Sequence, residues 1–74
     1  MIMRWTRRDI RSSYVATDGA YTFVVSKEAQ MDRRDPWCAS MYRGDEYGEL
    51  LEEQCYLRTM RQAQDLCEEW NTDY

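Results

Sequence analysis

The residues of this chain that could do chemistry are cysteines and carboxylates, because the sequence contains no histidine. Histidine is the usual general base at neutral pH and the commonest ligand of transition metals. Cys38, Cys55 and Cys67 have spacings that match neither a zinc site nor a self-contained disulfide framework. We therefore expect reduced, mostly buried cysteines that pack in the core, and a protein that is not an enzyme and binds no cofactor and no metal.

Carboxylates are concentrated in the second half of the chain. Residues 1–37 hold seven basic and five acidic side chains, whereas residues 38–74 hold three and nine. Most acidic surfaces simply keep a protein soluble, but one can also imitate the phosphate line of nucleic acid and occupy a basic site on another protein. The candidate protein-binding residues are Asp45, Glu46, Glu49, Glu52, Glu53, Asp65, Glu68 and Glu69.

A basic and aromatic cluster near the N-terminus supports nucleic-acid binding as an alternative. Arginine contacts phosphate, and tryptophan can stack on bases. The net charge of −4 opposes this function, and the same arginines could instead pair with the acidic second half of the chain. The residues of this alternative site are Arg4, Trp5, Arg7, Arg8 and Arg11.

The elements that position these residues begin with a hairpin at Asp18-Gly19. Asp-Gly between β-rich runs indicates a two-residue turn, because both central residues of a type I′ turn need positive φ. This turn predicts that Thr17 lies opposite Ala20. We assign the core face to Tyr14, Ala16, Tyr21, Phe23 and Val25, and the opposite face to Val15, Thr17, Thr22 and Val24.

Two further strands and a helix are predicted downstream. A loop is predicted over residues 27–36. Residues 37–42 then alternate as a strand, and the set with the larger side chains, Trp37, Ala39 and Met41, is assigned to the core face. Residues 44–58 remain open between a fourth strand, which we favour, and a long helix from about Glu46. The capping box Thr59-x-x-Gln62 predicts that a separate helix begins there. Its apolar stripe is Met60, Ala63, Cys67, Trp70 and Tyr74.

These patterns predict one α+β domain over residues 1–74, with a small three- to four-stranded antiparallel sheet and one C-terminal helix packed on one face. The N-terminal segment is either a further strand, with Met3 and Trp5 on one face, or an irregular arm. A single helix leaves the second sheet face uncovered, so a homodimer through that face is expected. Its tentative interface residues are Val15, Val24, Tyr42 and Tyr56.

Several segments together resemble the small accessory proteins common in bacteriophage and prophage genomes. They are Trp5-x-Arg7-Arg8, Tyr14-x-Ala16-x-Asp18-Gly19-x-Tyr21-x-Phe23, Trp37-x-Ala39, Met41-Tyr42-Arg43 and residues 59–70. The resemblance implies binding to a host protein, including inhibition of a bacterial defence component. The chain has no apolar run of the ~20 residues that span a bilayer. We therefore expect a protein that is located in the cytoplasm of a bacterial host and does not bind a membrane. Its expected activity is non-catalytic binding to a host protein.

Overall fold

The computed structural model describes residues 3–8, 12–28 and 33–74. Its elements in chain order are β1 (Thr6–Arg7), β2 (Ser13–Asp18), β3 (Tyr21–Lys27), β4 (Trp37–Arg43), β5 (Glu49–Leu57) and α1 (Met60–Asp73). The strands form one sheet in the order β1-β2-β3-β4-β5, and every neighbouring pair is antiparallel. The α+β class and the C-terminal helix are confirmed. The sheet has five strands rather than three to four, because the N-terminal segment pairs with β2 and residues 49–57 extend the other edge.

The β2–β3 hairpin turns at Gly19-Ala20, so the predicted pairing is wrong by two residues and Asp18 lies opposite Tyr21. Gly19 has φ +62° whereas Ala20 has no positive φ, the pattern of a type II′ turn rather than type I′. Asp18 stays in the strand, where its Oδ2 accepts a hydrogen bond of 2.7 Å from Asn71 Nδ2. A shift of two residues preserves the alternation of side chains, so the predicted sheet faces are confirmed.

The core lies between the sheet and α1. The predicted core face of β4 is confirmed, since Ala39 and Met41 are buried there. They pack with Phe23 of β3 against Ala63 and Cys67 of the helix. At the margins the core is closed by partly buried aromatic and aliphatic side chains, namely Trp5, Tyr14, Tyr21, Trp37, Leu51, Met60, Leu66 and Trp70.

Helix α1 begins at the predicted capping box. Thr59 Oγ1 accepts a hydrogen bond of 3.0 Å from Gln62 N. The Gln62 amide oxygen accepts in return from Arg58 N at 3.0 Å, one residue before the cap. These bonds satisfy donors that a helix start otherwise leaves without partners. The strand interpretation of residues 49–57 is confirmed, because the chain reaches Leu57 as β5 before the helix starts.

Two β-bulges interrupt β5. Cys55 and Tyr56 together lie opposite Cys38, and Leu51 is a second extra residue between the pairs that flank it. Tyr56 has φ +63°, a conformation that non-glycine residues rarely adopt. Each extra residue breaks the two-residue alternation of side chains. Leu57 and Gln54 therefore both lie on the helix side of the sheet, opposite Trp37 and Ala39, although they are three positions apart.

The expectation that all three cysteines are reduced is wrong. Cys38 and Cys55 form a disulfide between β4 and β5, and their Cα atoms are 4.0 Å apart. The bulge places the two residues side by side on neighbouring strands, which the spacing along the chain could not reveal. Cys67 is a free, buried cysteine, as predicted.

The sheet face opposite α1, here called the outer face, is partly covered by residues 44–48. Thr22 Oγ1 donates a hydrogen bond of 2.5 Å to the Gly44 carbonyl. Further along this turn, Glu46 Oε2 lies 2.8 Å from the Arg8 guanidinium at the far edge of the sheet. The expectation that a single helix leaves the second face uncovered is therefore wrong.

The segment between β3 and β4 is held together where it leaves the sheet. Glu28 N donates a hydrogen bond of 2.8 Å to the Pro36 carbonyl. The middle of the loop that we predict over residues 27–36 lies outside the described residues, which end at 28 and resume at 33.

Candidate functional site: an acidic surface

The predicted protein-binding carboxylates do not form a single surface. Glu68 lies on the flank of α1 that faces the N-terminal strands, since its Oε2 accepts a hydrogen bond of 3.4 Å from Met3 N. Asn71, three residues on, lies on the same flank and contacts Asp18. Residues one position further along a helix are rotated by about 100°. Glu69 is rotated by about 100° from Glu68, and Asp73 by about 200° from Asn71, so both are turned away from that flank and toward the side of β5.

Carboxylates of β5 lie on this side as well. Glu52 pairs with Met41 and Glu49 with Arg43, and directly paired residues share a sheet face. Both carboxylates are therefore on the helix side of the edge strand. We call the group formed by Glu49, Glu52, Glu69 and Asp73 the acidic flank. Asp73 is not among the eight candidate residues, but it lies four positions after Glu69 on one helix and therefore belongs to the same side of α1.

The acidic flank is only weakly neutralised. Arg43 Nε lies 3.3 Å from Glu49 Oε1, and both side chains are largely exposed. An exposed ion pair of this kind contributes less than about 1 kcal/mol. The Glu69 side chain makes no hydrogen bond or ion pair within the described ranges. The flank thus presents four carboxylates and one guanidinium to solvent.

Glu52 is fixed by the end of the helix. Its Oε2 accepts a hydrogen bond of 2.7 Å from the Tyr74 hydroxyl. The Tyr74 ring meets Tyr21 edge to face, with the ring centroids 5.7 Å apart. The hydrogen bond to Glu52 raises the pKa of Tyr74 above its ordinary value, and desolvation adds to the rise. Glu52 therefore has a fixed position rather than a freely rotating one.

The remaining predicted carboxylates lie elsewhere. Asp45 Oδ1 accepts a hydrogen bond of 2.9 Å from Tyr47 N and stabilises the turn after β4, and Glu46 of the same turn is paired with Arg8. Glu53 pairs with Ser40 and lies on the outer face. Asp65 is exposed on α1. Of the eight predicted residues, Glu49, Glu52 and Glu69 therefore lie on the β5 side of the helix-bearing face.

The N-terminal cluster is not arranged as one basic platform. Thr6 pairs with Val15 on the outer face, so Arg4 and Arg8 alternate to that face while Arg7 lies on the other. The Trp5 ring packs against the core, and its buried Nε1 has no hydrogen-bond partner among the residues described. Arg11, the remaining member of the predicted site, lies outside the described ranges.

The predicted dimer residues differ in exposure. Val15, Val24 and Tyr42 are half-buried, whereas Tyr56 is 66% exposed. Leu50, which pairs with Tyr42 on the outer face, is 47% exposed. Sequence reasoning missed Leu50, because the bulge at Leu51 decides which of the two leucines enters the core.

The free thiol and a surface depression are two further features of the described residues. Burial raises the pKa of Cys67 to about 12, and the Glu68 carboxylate adds to the rise. A shallow depression of about 350 Å³ beside β1 is lined by Arg4 and by uncharged residues of β1 and β2. Over residues 3–8, 12–28 and 33–74, no group of three metal-ligating side chains comes together.

No protein-family model, curated protein or solved structure matches this chain. Among the described residues, α1 is too short and too polar to cross a membrane, and no other helix is present to do so.

Proposed function

We propose that this protein acts without catalysis, by covering a basic surface of another protein with its acidic flank. Glu49 and Glu52 on β5 and Glu69 and Asp73 on α1 would contact arginine and lysine side chains of the partner. Complementary charge accelerates association and disfavours wrong partners. Occlusion of the basic surface would then inhibit whatever that surface normally binds.

The observation that carries the proposal is the excess of unneutralised carboxylate on two rigid elements. The disulfide at Cys55 joins β5 to β4, and α1 packs on the sheet through Ala63 and Cys67. Binding therefore requires little ordering of the backbone, which is one of the main costs of association. The carboxylates can also pair with cations of a partner, since Arg43 is the single described cation paired with the flank.

The resemblance to phage and prophage accessory proteins suggests that the partner is a host protein, for example a component of bacterial defence. A cytoplasmic location belongs to the same proposal. The disulfide between Cys38 and Cys55 weighs against it, because stable disulfides are more typical of oxidising compartments.

An affinity capture with matched charge variants tests the proposed function. Tagged protein is incubated with bacterial lysate, with and without nuclease treatment, at low and high salt, and each captured protein is then purified and its affinity measured. We expect a partner whose binding weakens with salt and is lost in the double variant Glu69→Gln, Asp73→Asn. The control Asp65→Asn, Glu68→Gln removes the same charge from other sides of α1 and should retain the partner.

Two results would contradict this proposal. Equal loss of the partner in both double variants would mean that net charge, not the acidic flank, decides binding. Capture that depends on intact nucleic acid would instead support the alternative site at Arg4, Trp5, Arg7, Arg8 and Arg11.

A further inference from the structure

A group of exposed and half-buried side chains on the outer face of β4 and β5 is separate from the acidic flank. Leu50 pairs with Tyr42, and Glu53 pairs with Ser40, on this face. Tyr56 lies in the bulge opposite Cys38, which is a residue of this face, and its side chain is 66% exposed. We call the group formed by Tyr42, Leu50, Glu53 and Tyr56 the outer patch.

We propose that the outer patch binds an arginine side chain of the protein partner. This inference rests on the proposed function and names a second, separate contact for the same kind of partner. Glu53 would accept hydrogen bonds from the guanidinium group, and the rings of Tyr42 and Tyr56 would contact its planar face. Arginine suits such a site because it both pairs with carboxylates and stacks on aromatic rings.

Charge complementarity identifies the occupant. The Glu53 side chain is exposed and makes no hydrogen bond or ion pair within the part of the chain that the structure describes. The first basic residues before and after β5 are engaged elsewhere, Arg43 with Glu49 and Arg58 with Asp35. A second copy that placed the same patch against this one would bring two Glu53 carboxylates together. A cationic group from a different chain avoids that repulsion.

The backbone around the patch is held in an unusual conformation. Tyr56 is an aromatic residue at φ +63°, which costs free energy that the surrounding structure must supply. The neighbouring disulfide between Cys38 and Cys55 fixes the bulge to β4. Strained backbone of this kind is found most often at functional sites. Here it fixes an exposed tyrosine ring three residues from an unpaired carboxylate.

Binding of short peptides, followed by amide chemical shifts of the labelled, oxidised protein, tests the proposal. The probe is an acetylated and amidated Gly-Arg-Gly-Arg-Gly peptide, and the control peptide contains lysine in place of arginine. We expect the arginine peptide to shift the amides of Glu53 and Tyr56 and to bind more tightly than the lysine peptide. Glu53→Gln should weaken its affinity about twofold to fivefold, and Tyr56→Ala by a similar factor.

The matched control is Asp65→Asn, which removes one exposed carboxylate from α1 and should leave the affinity unchanged. Equal weakening by Glu53→Gln and Asp65→Asn, or no preference for arginine over lysine, would overturn the proposal. Shifts confined to the acidic flank would overturn it as well while leaving the proposed function intact. Absence of binding anywhere on the protein would count against both.

Discussion

The Tyr74 hydroxyl donates a hydrogen bond of 2.7 Å to Glu52 and thereby joins the end of α1 to the edge strand β5. The two residues are twenty-two positions apart. The contact holds Glu52 of the acidic flank against the C-terminal end of the helix. It also makes the flank sensitive to pH in a defined direction.

The pKa of Tyr74 should fall when Glu52 is replaced by glutamine. The hydrogen bond and the negative charge of Glu52 both favour the protonated phenol, so the folded-state pKa is raised. A raised pKa means that the interaction stabilises the fold below the ordinary tyrosine pKa and is lost as pH rises through the folded-state value. Ultraviolet or NMR titration measures the pKa of Tyr74 in the unchanged protein and in the variant. Glu49→Gln is the control, and an equal fall in that variant would exclude the hydrogen bond as the main cause.

Thiol counting should distinguish the three cysteines. The folded, unreduced protein should not react with a thiol reagent at neutral pH, because Cys67 is buried and its pKa is raised to about 12. Unfolding without reductant should expose one thiol, and unfolding with reductant should expose three. Three reactive thiols in the unreduced, unfolded protein would show that Cys38 and Cys55 are not joined.

Gly48→Ala should destabilise the turn between β4 and β5. A Cβ atom at this position would overlap the Arg43 carbonyl oxygen, and the neighbouring atoms are backbone that cannot easily move. We expect a loss of about 2 kcal/mol in the free energy of unfolding, measured with urea. Gly44→Ala is the comparison, since its φ is +83° but its Cβ would meet open space. A smaller loss at Gly48 than at Gly44 would contradict the predicted overlap.

Thr59→Ala should lower stability by about 1 kcal/mol, because the hydroxyl caps the first turn of α1. Thr72→Ala is the control within the same helix. Its hydroxyl donates to the Glu68 carbonyl at 3.0 Å on an exposed surface, and such bonds do not stabilise helices appreciably. Equal effects of the two substitutions in urea unfolding would mean that the cap does not contribute.

The features that the sequence predicts correctly depend on local chemistry. The helix start needs only the Thr59 hydroxyl and the Gln62 amide, and the faces of β2 and β3 need only their alternation. The hairpin pairing was predicted wrongly because Asp18 is held in the strand by Asn71, fifty-three positions away.

The disulfide and the outer patch could not be predicted for a similar reason. Both depend on which residue of β5 lies opposite which residue of β4. Two extra residues, Leu51 and one of the pair Cys55-Tyr56, change that correspondence. The acidic flank was predicted in part, because the composition indicates carboxylates but only the packing of α1 shows which of them lie beside β5.

The irregular backbone of β5 has a final consequence for self-association. β5 ends the sheet, so one side of the strand carries backbone groups that could pair with another chain and begin a growing fibril. The two bulges shorten every regular stretch of that edge, and the three glutamates of β5 repel a second copy of it. The strand that bears the proposed binding residues is thereby protected against aggregation.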